Sequence, residues 1–166
     1  MAIAVTHDYK ADVEQWMQRF DVHWYDIRDD LQALQMYGFR LLVDNSLGMV
    51  EFRYDLLTNR MQQRIKTHPV ETEDAYFAAM HELGHVANED WKRLPTASWG
   101  KVLPHEAANL LRAEAEAWAW AYENAIVTPS DYVLQSTQAG FYSYIRDYGR
   151  EHVPPKHELH PYLQEV

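Results

Sequence analysis

The segment HELGH, residues 81–85, constrains the fold of this chain more than any other feature of its sequence. On an α-helix, residues four apart project from the same face, so His81 and His85 can bind one metal ion together. Glu82 is rotated by about 100° from His81, which leaves it free to hydrogen-bond a water at that ion. This spacing is typical of zinc proteases, in which the glutamate is the general base. A fold that uses the motif must bury this helix face and supply a third ligand from another element.

Composition narrows the class of protein and the type of metal site. The chain has 166 residues, 47% of them hydrophobic, and no cysteine, so a metal must be bound by His, Asp or Glu. Zinc is the expected ion, with manganese and cobalt as alternatives. The net charge of -10 argues against nucleic acid as a partner, and no apolar run reaches the ~18 residues of a membrane span. Because the N-terminus shows no signal-peptide pattern, we expect a cytoplasmic protein.

Hydrophobic periodicity predicts the elements that precede the motif. Apolar residues spaced three and four apart over residues 11–36 predict one long amphipathic helix. Residues 39–44 and 49–55 predict two strands joined by a turn, and residues 60–67 alternate like a third strand with one polar face. The polar face favours the edge of an antiparallel sheet. The fold class is therefore α+β, mainly helical, with a three-stranded antiparallel sheet packed on the motif helix.

The second half of the chain is predicted to be helical. The motif helix is expected over residues 73–88 with Thr72 as its N-cap, and two further helices over residues 106–126 and 129–148. We predict a single domain over residues 1–150, followed by an extended or loosely docked tail over residues 151–166. The tail contains the segment HELH, which we interpret as polar tail rather than as a second metal site.

The third ligand is expected on the helix over residues 106–126, which carries Glu114, Glu116 and Glu123. Glu114 lies one turn from Trp118 and falls within the inward apolar stripe of this helix. Glu116 lies about 200° around the helix from Glu114, so only one of the two can face the metal. We therefore predict Glu114 as the ligand and keep Glu116 as the second choice.

HELGH, followed 29 residues after its second histidine by EAEAWAWA, resembles the gluzincin metallopeptidases. The likeness is to the compact ImmA/IrrE-type and phage-associated families, and it covers about residues 36–127. It implies that the two motif histidines and Glu114 hold zinc, and that Glu82 is general base and then general acid. It also implies that an extended substrate pairs with an edge strand above the metal, for which residues 60–67 are the nearest candidate.

Position 118 departs from the pattern of these families. It is Trp118 where many relatives carry Asp or Asn. A carboxylate or amide at that position would orient a zinc-binding histidine through a hydrogen bond. Asp90, Asp74 or a backbone carbonyl are the candidates to replace it.

Hydrolysis of a peptide also requires a hydrogen-bond donor for the carbonyl oxygen in the transition state. His105, Tyr76, Tyr122 and Tyr142 have suitable side chains. We prefer His105, because it lies in the loop that enters the helix of the predicted third ligand.

The sequence thus predicts a zinc metallopeptidase that hydrolyses a peptide or protein substrate by means of a metal-activated water. The alternative is a catalytically inert, zinc-stabilised protein-binding module of mobile-element origin. Cleavage of the substrate distinguishes the two, because only the enzyme creates new chain termini.

Overall fold

The computed structural model describes residues 6–25, 49–94 and 104–166. This part of the chain is mainly helical with a small sheet, as predicted. Its helices are α1 (Tyr9–Phe20), α2 (Glu73–Ala87), α3 (Pro104–Asn124) and α4 (Asp131–Tyr148). Its strands are β1 (Val22–Trp24), β2 (Met49–Asp55) and β3 (Arg60–Lys66). Short 3-10 helices follow at Asp90–Lys92, Arg150–His152, Lys156–Glu158 and Pro161–Leu163.

The N-terminal helix is much shorter than the periodicity of residues 11–36 predicts. α1 ends at Phe20, and Asp21 adopts a left-handed conformation with φ of 55°. Aspartate tolerates this conformation better than most residues, because its short polar side chain can hydrogen-bond locally. The chain then turns into β1, where Val22 is buried in the sheet. Residues 26–36 of the predicted helix and the predicted strand over 39–44 lie outside the described residues.

β3 is the central strand of the described sheet, not an edge strand. It pairs with β2 in antiparallel orientation along its length and with β1 in parallel orientation over Gln63–Ile65. The sheet is therefore mixed rather than antiparallel. The edge position was predicted from the polar face of β3, but that face has partners within the sheet. Arg64 donates two hydrogen bonds, of 2.8 and 3.0 Å, to the carboxylate of Glu51 on β2. Because β1 and β2 flank β3 on its two sides over Gln63–Ile65, a substrate strand cannot pair with that part of the segment predicted to bind it.

α2 lies at the centre of the described fold, against α1, the sheet, α3 and α4. It begins where predicted, with the Thr72 side chain accepting a hydrogen bond from the Ala75 amide at 3.2 Å. Nearly every residue between Ala75 and Val86 is buried. Neighbouring elements enclose this helix on all sides, and most of its circumference is apolar. The polar residues of HELGH are therefore buried in the core together with it. No described helix is both long enough and apolar enough to cross a membrane.

The C-terminal tail is folded against the helices, in contrast to the extended or loosely docked tail predicted over residues 151–166. Its three 3-10 helices bring Leu163 into the core, where the residue is 1% exposed. Gln138 of α4 donates a hydrogen bond to the Tyr162 carbonyl at 2.7 Å, and Arg112 of α3 pairs with Glu158 at 2.8 Å. The prediction missed this docking because the prolines of the tail exclude regular helix but not a buried anchor.

Gly84 allows α2 and α3 to approach each other at backbone distance. A methyl group added at Gly84 would lie 2.5 Å from the Ala117 carbonyl oxygen and 2.8 Å from the Ala117 Cα. The obstacle is backbone rather than a flexible side chain, so the helices would have to separate. We expect Gly84→Ala to lower the free energy of unfolding by about 1–3 kcal/mol, although alanine is the better helix former.

Gly140→Ala is the matched control on α4. A methyl group there meets only the Trp118 ring at 3.7 Å, which is an ordinary contact. We expect its free energy of unfolding to be unchanged or raised by up to about 1 kcal/mol. Urea denaturation of the two variants beside the parent measures both effects. Equal stability of Gly84→Ala and Gly140→Ala would contradict the close helix contact.

Candidate metal centre

Two helices bring the three predicted ligands together. His81 and His85 lie one turn apart on α2, with ring centroids 4.6 Å from each other. Glu114 reaches them from α3, and one donor atom from each of the three side chains lies within 4.8 Å of the others. All three residues are buried. The structure therefore unites the two histidines with the glutamate that the helical wheel favoured.

The distances between the donor atoms fit a zinc ion. Two atoms bound to a tetrahedral zinc at about 2.0–2.1 Å lie about 3.3 Å apart. The Nε2 of His81 is 2.9 Å from one carboxylate oxygen of Glu114, and the Nε2 of His85 is 3.3 Å from the other. Both histidines thus present the same ring nitrogen to one carboxylate. Two imidazoles and a carboxylate are a donor set that zinc accepts.

The charges of the centre balance one another. Burial alone would lower the pKa of each imidazole, but the neighbouring Glu114 carboxylate outweighs it and raises the pKa of His81 and of His85. Burial would raise the pKa of Glu114, but the two imidazoles outweigh it and lower that pKa. A buried carboxylate of this kind needs a positive partner, which is either an imidazolium or a metal ion.

Asp90 fixes the orientation of the His85 ring. Its carboxylate lies 2.6 Å from the Nδ1 of His85, on the opposite side of the ring from Glu114. Asp90 is itself fully buried and accepts a hydrogen bond from the Nε of Arg93 at 2.5 Å. A carboxylate on the second ring nitrogen sets the tautomer that leaves Nε2 free for a metal. Asp74, the other carboxylate considered for this role, is exposed in the first turn of α2.

Trp118 holds the other histidine, His81, by stacking. Its ring lies flat on the ring of His81, with centroids 4.1 Å apart and an angle of 20° between the planes. The Nδ1 of His81 is 3.4 Å from the Oε1 of Glu82. The residue that departs from the gluzincin pattern therefore restricts the imidazole by van der Waals contact, where Asp or Asn would use a hydrogen bond.

Glu82 is buried beside the cluster of His81, His85 and Glu114 but contributes no donor atom to it. Its carboxylate contributes to the raised pKa of both His85 and Tyr144, which places its charge near each of them. The general base that the sequence predicts is therefore adjacent to the three ligands and separate from them.

The remaining charged candidates on α3 lie away from the centre. Glu116 pairs with Arg93 at 2.5 Å and keeps 43% of its side chain exposed, and Glu123 is exposed. His105 is exposed in the first turn of α3, nine residues before Glu114. That separation corresponds to about 14 Å along a helix axis. The structure does not bring these three residues to the cluster.

Two of the three tyrosines predicted as oxyanion donors are engaged elsewhere, and the third is exposed. Tyr76 donates a hydrogen bond to Asp12 at 2.6 Å, and the Tyr122 hydroxyl lies 2.6 Å from that of Thr137. Tyr142 on α4 is 49% exposed. These partners tie the first two tyrosines to the packing of the fold and leave the third at the surface.

Tyr144, which is not among the oxyanion donors predicted from the sequence, lies near the centre. The charge of Glu114, burial and the charge of Glu82 all raise the pKa of its hydroxyl, which places the phenol near both carboxylates. A signal was present in the sequence. Tyr144 lies three residues after Phe141 and one before Ile145, which are both buried on α4, whereas Tyr142 is out of phase with this stripe.

Comparison with known proteins does not identify the function of this centre. The chain has no significant match to a protein-family model, to a curated protein or to a solved structure. Its chemistry must therefore be inferred from the residues and distances described above.

Metal content tests the ligand set. We expect the parent protein, purified without chelator, to carry one zinc ion per chain. His85→Ala and Glu114→Ala should lose it, because each removes one of three protein ligands. Glu116→Ala, two residues further along α3, should keep it, because Glu116 faces Arg93 instead.

Elemental analysis of the four proteins, with circular dichroism to confirm folding, measures this difference. Equal zinc content in Glu114→Ala and the parent would contradict the assignment of Glu114, and loss of zinc in Glu116→Ala would point to that residue instead.

Proposed function

We propose that this protein is a zinc-dependent metallopeptidase of the gluzincin type. The observation that carries the proposal is the arrangement of α2 and α3, which bring His81, His85 and Glu114 within 4.8 Å of one another and leave Glu82 beside them. Three protein ligands with a carboxylate outside the donor set are the features of a catalytic zinc site, which keeps one position open.

The metal and the protein have separate tasks in this proposal. Zinc, when bound by the three residues, lowers the pKa of a water to about 7 and polarises the carbonyl group of the substrate. Glu82 accepts the proton of the attacking water and donates it to the leaving amine. Asp90 and Trp118 hold the two imidazoles in place, which limits the motion of the ligands during the reaction.

Tyr144 is suited to stabilise the oxyanion. The phenol of a tyrosine is protonated at neutral pH and can donate a hydrogen bond, and the charge of Glu114 raises its pKa further. The charges of Glu114 and Glu82 both act on the phenol, which places it near the centre. A donor in this position can turn to the carbonyl oxygen as negative charge develops there.

One observation favours a second candidate function. The two histidines, Glu82 and Glu114 are each no more than 7% exposed. Such burial is also a feature of a structural metal site, in which the ion stabilises a module that binds a partner without cutting it. Tyr144 would then support the buried Glu114 carboxylate instead of acting on a substrate.

Glu82→Gln tests the catalytic proposal. The amide cannot accept a proton, so peptide hydrolysis should fall by at least about 10²–10³-fold while zinc content stays at the parent level. The assay is mass spectrometry of a synthetic peptide library incubated with the zinc-loaded protein. Glu123→Gln, which changes an exposed glutamate of α3, is the control and should cleave like the parent. Parent-like cleavage by Glu82→Gln would exclude it as the base, and a zinc-loaded parent that cleaves nothing would favour the second candidate.

Tyr144→Phe tests the oxyanion donor. Loss of one such hydrogen bond lowers kcat by about 10²–10³-fold in other hydrolases, and we expect a fall of this size with KM nearly unchanged. Tyr142→Phe, on the exposed side of the same helix, should retain the parent kcat. A fall in zinc affinity of Tyr144→Phe without a specific loss of kcat would instead identify the tyrosine as part of the metal site.

A further inference from the structure

A cavity of about 500 Å³ lies along the N-terminal half of α2. None of the residues that line it is a candidate ligand, the candidate base or the candidate oxyanion donor. The lining consists of His68, Pro69, Glu71, Thr72, Asp74, Ala75, Ala78, Trp118, Ser136 and Thr137. The volume is in the range of pockets that bind small molecules or single side chains of a larger ligand.

The cavity adjoins the metal centre. Ala78 lies three residues before His81 and four before Glu82, which is about one helical turn of 5.4 Å. Trp118 forms part of the cavity wall and also stacks on His81 at 4.1 Å. A substrate whose scissile bond lies at the centre can therefore extend a neighbouring side chain into this cavity.

The wall of the cavity combines apolar surface with two carboxylates. Ala75, Ala78 and the Trp118 ring provide small or flat apolar contacts. Glu71 and Asp74 also line the cavity and are exposed, and neither carboxylate has an ion-pair or hydrogen-bond partner among the described residues. Apolar surface combined with exposed carboxylates matches a long side chain that ends in a cation, because its methylene groups bury while its charged end stays near solvent.

We propose that this cavity is the specificity pocket of the enzyme and that it binds a lysine or arginine side chain of the substrate next to the scissile bond. This rests on the proposed function. The net charge of -10 acts in the same direction, since it attracts basic peptides over a longer range than the pocket itself. An acidic side chain would meet the unpaired carboxylates of Glu71 and Asp74 and be repelled.

Binding of two capped tripeptides tests the pocket without relying on catalysis. Acetyl-Ala-Lys-Ala-amide and its norleucine counterpart have nearly equal side-chain length, and only the first carries a charge. We expect the zinc-loaded protein to bind the lysine peptide about fivefold more tightly in low salt, with shifts of the Ala78 and Trp118 signals in nuclear magnetic resonance spectra. The factor corresponds to about 1 kcal/mol, or about 0.5 kcal/mol for each of two exposed charge contacts.

A double variant and a matched control separate the pocket from the general charge of the protein. Glu71→Gln with Asp74→Asn should abolish the preference for lysine. Glu123→Gln with Asp131→Asn makes the same change of net charge at exposed sites outside the cavity, and Asp131 occupies the first turn of α4 as Asp74 does that of α2. This control should keep the preference. Equal binding of both peptides by the parent, no binding of either, or equal losses in the two double variants would overturn the proposal.

Cleavage products distinguish failure of the pocket from failure of the enzyme. If the peptide library is cut and the cut sites are enriched in neighbouring lysine or arginine in the parent but not in the Glu71, Asp74 double variant, the pocket is supported. Cleavage without such enrichment overturns the proposal of a specificity pocket and leaves the proposal of a peptidase intact. Selective binding of the lysine peptide without any cleavage supports the pocket and contradicts the peptidase.

Discussion

The contact between Gly84 and Ala117 is the constraint on which the rest of the centre depends. Gly84 lies between the two histidines on α2, and Ala117 lies between Glu114 and Trp118 on α3. Because the backbones meet without a side chain between them, a glutamate on one helix can reach imidazoles on the other. The glycine costs the isolated helix about 1 kcal/mol relative to alanine. The tertiary contact that it permits explains why that cost is tolerated.

The same two helices hold the outer contacts of the centre. His81 stacks on Trp118 of α3, and His85 is joined through Asp90 and Arg93 to Glu116, also on α3. Both histidines are thus fixed to the helix that provides the third donor. Side chains held in this way lose less freedom when a metal binds, which favours the bound form. The fold holds these three side chains in place through packing as much as through charge.

The features that could be predicted from the sequence are those that depend on the spacing of residues within one helix. The HELGH helix, its Thr72 cap and the choice of Glu114 over Glu116 all follow from the period of an α-helix and from the apolar stripe around each residue. The end of α1 and the central position of β3 depend on which segments pair with each other, and periodicity carries no such information. A polar face such as that of Arg64 looks solvent-exposed until its partner on another strand is known.

The same distinction holds within the centre. Asp90 and Asp74 were equivalent in sequence, and only the turn after α2 places Asp90 against His85. Tyr144 lies on the inward stripe of α4, but a tyrosine in such a stripe is usually a core residue. Its position near Glu114 depends on how α4 packs against α2 and α3.

The central claim is that a metal ion binds between α2 and α3. A crystal structure of the zinc-loaded protein, with anomalous diffraction recorded on both sides of the zinc absorption edge, tests it most directly. We predict one anomalous peak about 2.0–2.1 Å from the Nε2 atoms of His81 and His85 and from an oxygen of Glu114. Crystals grown in excess zinc that show no peak at this position, with Glu114 still hydrogen-bonded to the two imidazoles, would contradict it.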